Sequence, residues 1–305
     1  ARGSRRFHFP FPSRTPASLP TTGSSFTGGV MIPAIGYTMC GADRRRLETT
    51  ASHDPLSAAV EFDLDCLSHG LDSASGLETE RVTLHALSLP VGSADCRTEP
   101  ALSRLTELAR KSNAEAVIAR LDAMPTATAD GSTVSRPRAW KAESADLCRQ
   151  VEFVQSRLGA IPFYLESRVE ADWFSRNSHG KRVLRKVLAG TGCGWFLDVT
   201  ALYVEAMNSA QDACDFIEEV LPAADHVQLG LSGVLFDEKA ERWVASELHP
   251  IPEAVYELYA FVLEVAFDKV DAVFVRQQPA RAEGFDSGSE IQTVREIAEG
   301  VGAIV

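Results

Sequence analysis

The sequence predicts a single (β/α)8 barrel of the TIM type, with parallel strands inside and helices outside. Three observations carry this. Eight short apolar runs recur over about 275 residues from Ile32 onward, the span such a barrel needs. Helical patterns, with apolar residues three and four apart, fall between them. No G-x-G-x-x-G follows the first run, so the doubly wound open sheet lacks its phosphate-binding signature.

In chain order, the strands are expected at Pro33–Tyr37, Ala59–Leu64, Arg81–Leu87, Ala116–Arg120, Ile161–Leu165, Gly194–Leu197, His226–Leu229 and Ala272–Val275. Helical spacing covers Leu102–Lys111, Ala145–Leu158, Asp172–Ala189, Ala210–Leu221 and Ile251–Phe267. Two polar stretches, Pro125–Pro137 after the fourth strand and Pro279–Ser289 after the eighth, read as loops. In a barrel both fall on the catalytic face, where long loops act as lids or partner surfaces.

Composition narrows the function classes. Of 305 residues, 45% are hydrophobic and 24% charged, as expected for a soluble globular chain. No apolar run approaches the ~20 residues that span a bilayer. The net charge of −12 argues against a nucleic-acid-binding surface. Six scattered cysteines without a C-x-x-C pair read as free thiols in a reducing, cytoplasmic compartment. Residues 1–30 stand apart: they hold Arg2, Arg5, Arg6 and Arg14 and no acid. They read as a disordered extension, with organellar targeting as the alternative, leaving residues 31–305 as the barrel domain.

Active sites of parallel barrels are built at the C-terminal strand tips. The most informative tip is Gly192–Val199, an apolar run that ends abruptly on Asp198 before a helical pattern. The third strand carries His85, the fifth ends at Glu166, and a later loop carries Glu247 and His249. Imidazole with carboxylates is a donor set for a divalent first-row metal. Each residue also has a plainer reading: a helix N-cap for Asp198, an ion-pair partner for Glu166, a hydrogen-bonded core histidine for His85, a solvated loop for Glu247 and His249. Asp65 and Asn208 are weaker candidates.

The ordered motifs resemble the multinuclear non-haem iron-dependent oxidase family, xylose-isomerase-like barrels that modify ribosomally made peptides. The resemblance runs over roughly residues 32–278. A strand pattern H-G-V-x-L-S-x-G reads here as His85-Ala86-Leu87-Ser88-Leu89-Pro90-Val91-Gly92. L-E-N reads as Leu165-Glu166-Ser167, and G-C-G-x-L-L-D-V as Gly192 through Val199, with Asn208 downstream. Q-I-H-L-A-G-H reads as Gln228 through Gly233, and D-x-H-x-H-P-V as Ala245 through Ile251.

The departures bear on the chemistry. The early P-H-Y histidine has no counterpart near Gly41, and Asp65 stands for an expected Glu. The acid and histidine after strand four give way to Ala119-Arg120-Leu121. Paired asparagines become Thr200 and Ala201, the histidine of Q-I-H falls at Gly230, D-x-H falls at Ala245 and Glu247, and the last strand's acid falls at Arg276. Two or three iron ions concentrate roughly four to nine positive charges and need many anionic ligands. Arg120 and Arg276 put permanent positive charge among the ligand positions.

The resemblance therefore implies a divergent member with a degenerate metal site, holding at most one iron ion and equally well none. Two functions follow. One is a pseudoenzyme that binds a ribosomal precursor peptide or a companion protein. The other is an oxidase with a reduced single-metal site acting on a peptide side chain. A metal-assisted sugar isomerase or hydrolase is a third reading of the same barrel class.

Overall fold

The computed structural model describes residues 32–39, 59–63, 81–92, 99–121, 139–167, 178–276 and 287–305. Ile32–Val305 forms one compact unit. The expectations for residues 1–30, for Asp65 and for the Pro125–Pro137 loop lie outside the described residues, as does most of Pro279–Ser289.

All eight expected strands are present: β1 Ala34–Met39, β2 Ala59–Asp63, β3 Arg81–Val91, β4 Ala116–Leu121, β5 Phe163–Ser167, β6 Gly194–Asp198, β7 Val227–Leu231 and, last in the chain, β10 Val270–Val275. Each pairs in parallel with its neighbours, and β1 bonds both β2 and β10, so the sheet closes. Between β7 and β10 lies an unexpected antiparallel hairpin, β8 Gly233–Asp237 with β9 Arg242–Ser246.

The helices are α1 Glu99–Lys111, α2 Ala139–Leu158, α3 His179–Thr191, α4 Val199–Ser209, α5 Ala213–Val220, α6 Glu253–Ala266 and α7 Ser287–Gly302. The first residues of α7 read as loop in the sequence, because Ser287 to Ser289 carry no apolar side chain. The helix expected from Ala210 begins instead at Ala213, since Asp212 accepts the Cys214 N–H and caps it.

Side chains on a strand alternate between faces. Outward residues such as Val117, Leu165, Trp195, Leu197, Val227 and Leu229 join the helices in one continuous core. Inward residues Ala116, Ile118, Tyr164, Phe196, Ala272 and Phe274 form a separate cluster that fills the barrel. Register keeps these layers aligned: Ile118 pairs with Tyr164, Phe196 with Gln228, and Gly230 with Phe274. The next inward positions toward the C-terminal end are Arg120, Glu166, Asp198 and Arg276. Strand alternation thus turns four polar side chains inward at the C-terminal end of the barrel.

Candidate functional site

At that level Arg276 occupies the centre. It follows β10 directly, and its backbone N–H reaches Leu231 O at 2.7 Å, which extends the pairing with β7. Its guanidinium grips Glu61 with a two-pronged pair, Nε to Oε2 at 3.1 Å and Nη2 to Oε1 at 2.5 Å. Nη1 lies 3.2 Å from Glu166 Oε1 and 3.5 Å from Asp198 Oδ2. Below it the Phe196 ring centre lies 4.3 Å from the guanidinium carbon, a cation–π contact.

Space for this arrangement comes from Gly230. A Cβ there would sit 2.9 Å from Phe196 Cζ and 3.3 Å from Arg276 Nε. The position where the family resemblance placed a histidine is thus kept bare, and the aromatic ring and the cation occupy that room.

Glu61 is completely buried and every acceptor direction is used. Oε1 takes Arg276 Nη2 and His85 Nδ1 at 2.7 Å; Oε2 takes Arg276 Nε and the Thr38 hydroxyl at 2.5 Å. Burial alone would raise its carboxyl, but Arg276 and His85 outweigh that and hold it at about 2. The strand-tip reading of the sequence misses Glu61, because it favours Asp65 further along. An acid in mid-strand between Val60 and Phe62 is nonetheless a signal of an inward, paired charge.

His85 bridges two carboxylates, with Nδ1 on Glu61 and Nε2 3.1 Å from Glu166 Oε2. A carboxylate only accepts, so both ring nitrogens carry hydrogen and the ring is an imidazolium. Arg276 Nη2 also approaches Nδ1, at 2.8 Å, and both donate to the same Glu61 oxygen. Burial works against the charged ring, yet Glu166 and Glu61 raise its pKa above the ordinary value. Glu166 adds an interaction with Arg120 Nε at 3.2 Å, and despite its burial these cations hold its carboxyl far below the usual range.

Asp198 does two jobs. Oδ1 accepts the Ala201 N–H at 2.7 Å and caps α4, the plainer of its two readings, while Oδ2 faces Arg276. Burial raises its pKa, with Arg276 opposing. Thr200, where the resemblance expects asparagine, is fully buried: its hydroxyl donates to Ser232 O at 2.9 Å and accepts from Ser232 N at 2.8 Å. It pins α4 to the end of β7.

The remaining candidates lie with the hairpin. Asn208 uses its amide in both directions on the Trp243 backbone, at 2.9 Å each way. His249 Nδ1 is 2.7 Å from Ser246 Oγ, and its carbonyl packs against Gly233. Glu247 lies beside it, partly exposed. Among the described residues no group of three or more His, Cys, Asp and Glu has the geometry to hold a metal ion.

These residues do not fit a resident iron centre with Arg276 in place. The point on which Glu61, His85, Glu166 and Asp198 converge is filled by a guanidinium that cannot deprotonate. Glu61 has no acceptor direction left, and both His85 nitrogens are donors.

A family model described as RiPP precursor modification enzyme MbnB/TglH/ChrH matches residues 71–276, two thirds of the chain. The UPF0276 protein of Rhizorhabdus wittichii is 29% identical over 231 residues, 72% of this chain and 77% of that protein. The UPF0276 protein of Bordetella pertussis is 32% identical over 121 residues, 38% of this chain and 41% of its own. The chain thus spans about two fifths of the Bordetella relative it matches. Among solved structures, the TTHB071 protein from Thermus thermophilus, soaked with ZnCl2, superimposes with a TM-score of 0.56 at 15% identity, over 87% of this chain and 98% of that one. A xylose isomerase-like TIM barrel protein from Mycobacterium smegmatis, in complex with magnesium, gives 0.52 at 13%, over 90% and 98%. A D-allulose 3-epimerase from Methylomonas gives 0.53 at 13%, over 88% and 98%. At these identities the likeness establishes the fold alone.

Proposed function

The chain belongs to the RiPP precursor modification family of MbnB, TglH and ChrH, and from that premise we propose that it is a peptide-binding barrel whose Arg276 guanidinium stands where a catalytic metal would. One observation carries this reading. The four inward side chains best suited to ligate an ion, Glu61, His85, Glu166 and Asp198, all lie within 3.5 Å of that guanidinium. A fixed internal cation satisfies the carboxylates without redox chemistry, so the barrel retains its shape while oxidation is lost.

The partner class follows from the family and from the hairpin. β8 and β9 leave the C-terminal end of β7, at the mouth where the guanidinium cluster sits. Leu235 and Phe236 on β8 and Leu248 beyond β9 are each two-fifths exposed. Apolar side chains on a two-stranded sheet, whose β8 pairs with no strand but β9 among the described residues, suit an extended peptide that adds a strand.

The test is elemental analysis of chain purified without chelators, with and without anaerobic Fe(II) reconstitution. Iron, manganese and zinc well below one ion per chain in both preparations is the expected result. Stoichiometric iron after reconstitution would overturn the reading. It would favour the single-metal oxidase, with His85, Glu166 and Asp198 as ligands and Glu247 and His249 as further candidates. A companion measurement is binding of a synthetic ribosomal precursor peptide, which is expected to have the same affinity in EDTA.

A further inference from the structure

Arg120 differs from the other charged groups at the C-terminal mouth of the barrel. Its side chain is 44% exposed, against 9% for Arg276. It projects inward from β4, two residues beyond Ile118 and level with Glu166 of β5. Its one hydrogen bond among the described residues runs from Nε to Glu166 Oε2 at 3.2 Å. A guanidinium has two further nitrogens, and Nη1 and Nη2 together form its outer fork. That fork has no protein partner among the described residues.

The neighbouring acids cannot supply one. Glu166 Oε1 is held by Arg276 Nη1 at 3.2 Å, and Oε2 already takes His85 Nε2 at 3.1 Å. Tied at both oxygens, this carboxylate cannot turn to offer Arg120 a two-pronged pair. Asp198 divides between the Ala201 N–H and Arg276. Glu61 is fully buried, and its oxygens go to Arg276, His85 and Thr38. The three carboxylates of the cluster are therefore committed, while one guanidinium fork is not. The cluster also stands without Arg120: His85 and Arg276 do more than Arg120 to hold down the Glu166 carboxyl.

The charge on Arg120 is permanent, because guanidinium does not deprotonate in proteins. Its fork matches a planar carboxylate, which it binds through two parallel N–H···O bonds. We propose that Arg120 anchors a carboxylate of the bound peptide, from an acidic side chain or from the C-terminus. The proposal rests on the peptide-binding reading above and adds the chemical group that the mouth selects. Glu166 acts as a positioning residue, since its bond to Nε fixes the guanidinium from the buried side.

The test uses the full chain in EDTA at low salt, with three synthetic peptides followed by ligand-observed NMR. Acetyl-Ala-Gln-Ala-amide has no carboxylate. Acetyl-Ala-Glu-Ala-amide has one on the side chain, and acetyl-Ala-Gln-Ala with a free C-terminus has one at the end. At least one acidic peptide is expected to saturate, about tenfold tighter than the neutral amide, and which one does so identifies the source. Arg120→Gln is expected to abolish that preference. Arg120→Lys, which keeps the charge and loses the fork, is expected to retain only part of it. Failure of both acidic peptides to saturate, equal affinity for all three, or a preference that survives Arg120→Gln would overturn the proposal. Should Arg120→Gln fail to fold, an undiminished preference in Arg120→Lys overturns it alone. None of these outcomes touches the peptide-binding reading, which metal content and precursor-peptide affinity decide.

Discussion

Arg276 illustrates how one residue can decide what a site is able to do. Its partners are carboxylates and an imidazolium in a dry interior, where an unpaired charge costs far more than a paired one returns. Arg276→Met should therefore lower stability by about 3–5 kcal/mol, measured by urea unfolding. The double variant Glu61→Gln with Arg276→Met should lose less than the sum of the singles, because each change removes the other's stranded partner. Strict additivity would mean that the pair is not coupled as the geometry requires. The same cluster sets a pH dependence. Glu61 has its folded pKa depressed to about 2 from 4.5, so its contribution is complete above about 4.5 and is lost as pH falls toward 2. His85 is shifted upward, so its contribution is complete below about 6.5 and is lost as pH rises through its higher folded value. The cluster contributes most between those limits. Glu61→Gln should flatten the acid limb between pH 4.5 and 2, by up to about 1.4 kcal/mol per pH unit, in unfolding measured across that range. An unchanged slope would remove Glu61 from the account. Legibility at this scale follows strand position. Glu166, Asp198, Arg120 and Arg276 are readable because each lies at or near a tip, and His85 because an imidazole stands out in an apolar run, whereas Glu61 is masked by the two acids that follow it.

At the scale of elements, the joint between β6 and α4 carries the most information. Asp198 ends the strand, caps the helix and faces Arg276, and two residues later Thr200 fastens the helix to Ser232. Cap and ion-pair roles separate by substitution. Asp198→Asn keeps an oxygen for the Ala201 N–H and removes the charge, whereas Asp198→Ala removes both. Alanine should therefore cost about 1 kcal/mol more than asparagine in chemical denaturation. Equal losses would mean that the cap contributes nothing. Thr200→Val keeps the shape and strands the buried Ser232 backbone N–H, which should cost about 1–3 kcal/mol. All eight barrel strands are legible because buried parallel strands read as unbroken apolar runs. The β8–β9 hairpin is not, since Leu235 and Phe236 face solvent and its turn carries Glu238, Lys239 and Glu241, a composition indistinguishable from a polar loop.

For the whole molecule, the question is whether the barrel needs an ion from outside to fold. The chain as a whole is acidic, with a net charge of −12. The interior of the mouth is not. Glu61, Glu166 and Asp198 face Arg276, Arg120 and the His85 imidazolium, three formal charges of each sign. A barrel whose carboxylates depended on a bound metal would fold against strong mutual repulsion once the metal was withdrawn, because metal affinity is then part of folding free energy. Here the compensation is covalently attached to β10 and arrives with the last strand that closes the sheet. The unfolding temperature is therefore expected to be the same, within error, in excess EDTA and in added Fe(II) or Mn(II), followed by far-ultraviolet circular dichroism. In Arg276→Ala the balance shifts to the carboxylates and the guanidinium's space opens. That variant should melt lower and regain stability with added divalent cation. Wild-type chain that loses several degrees in EDTA and recovers them with iron would place a metal in the folded state and defeat the idea of an internal cation. The ordered motifs place the chain in its family, whereas the residue at the end of β10 sets what these melting experiments should show.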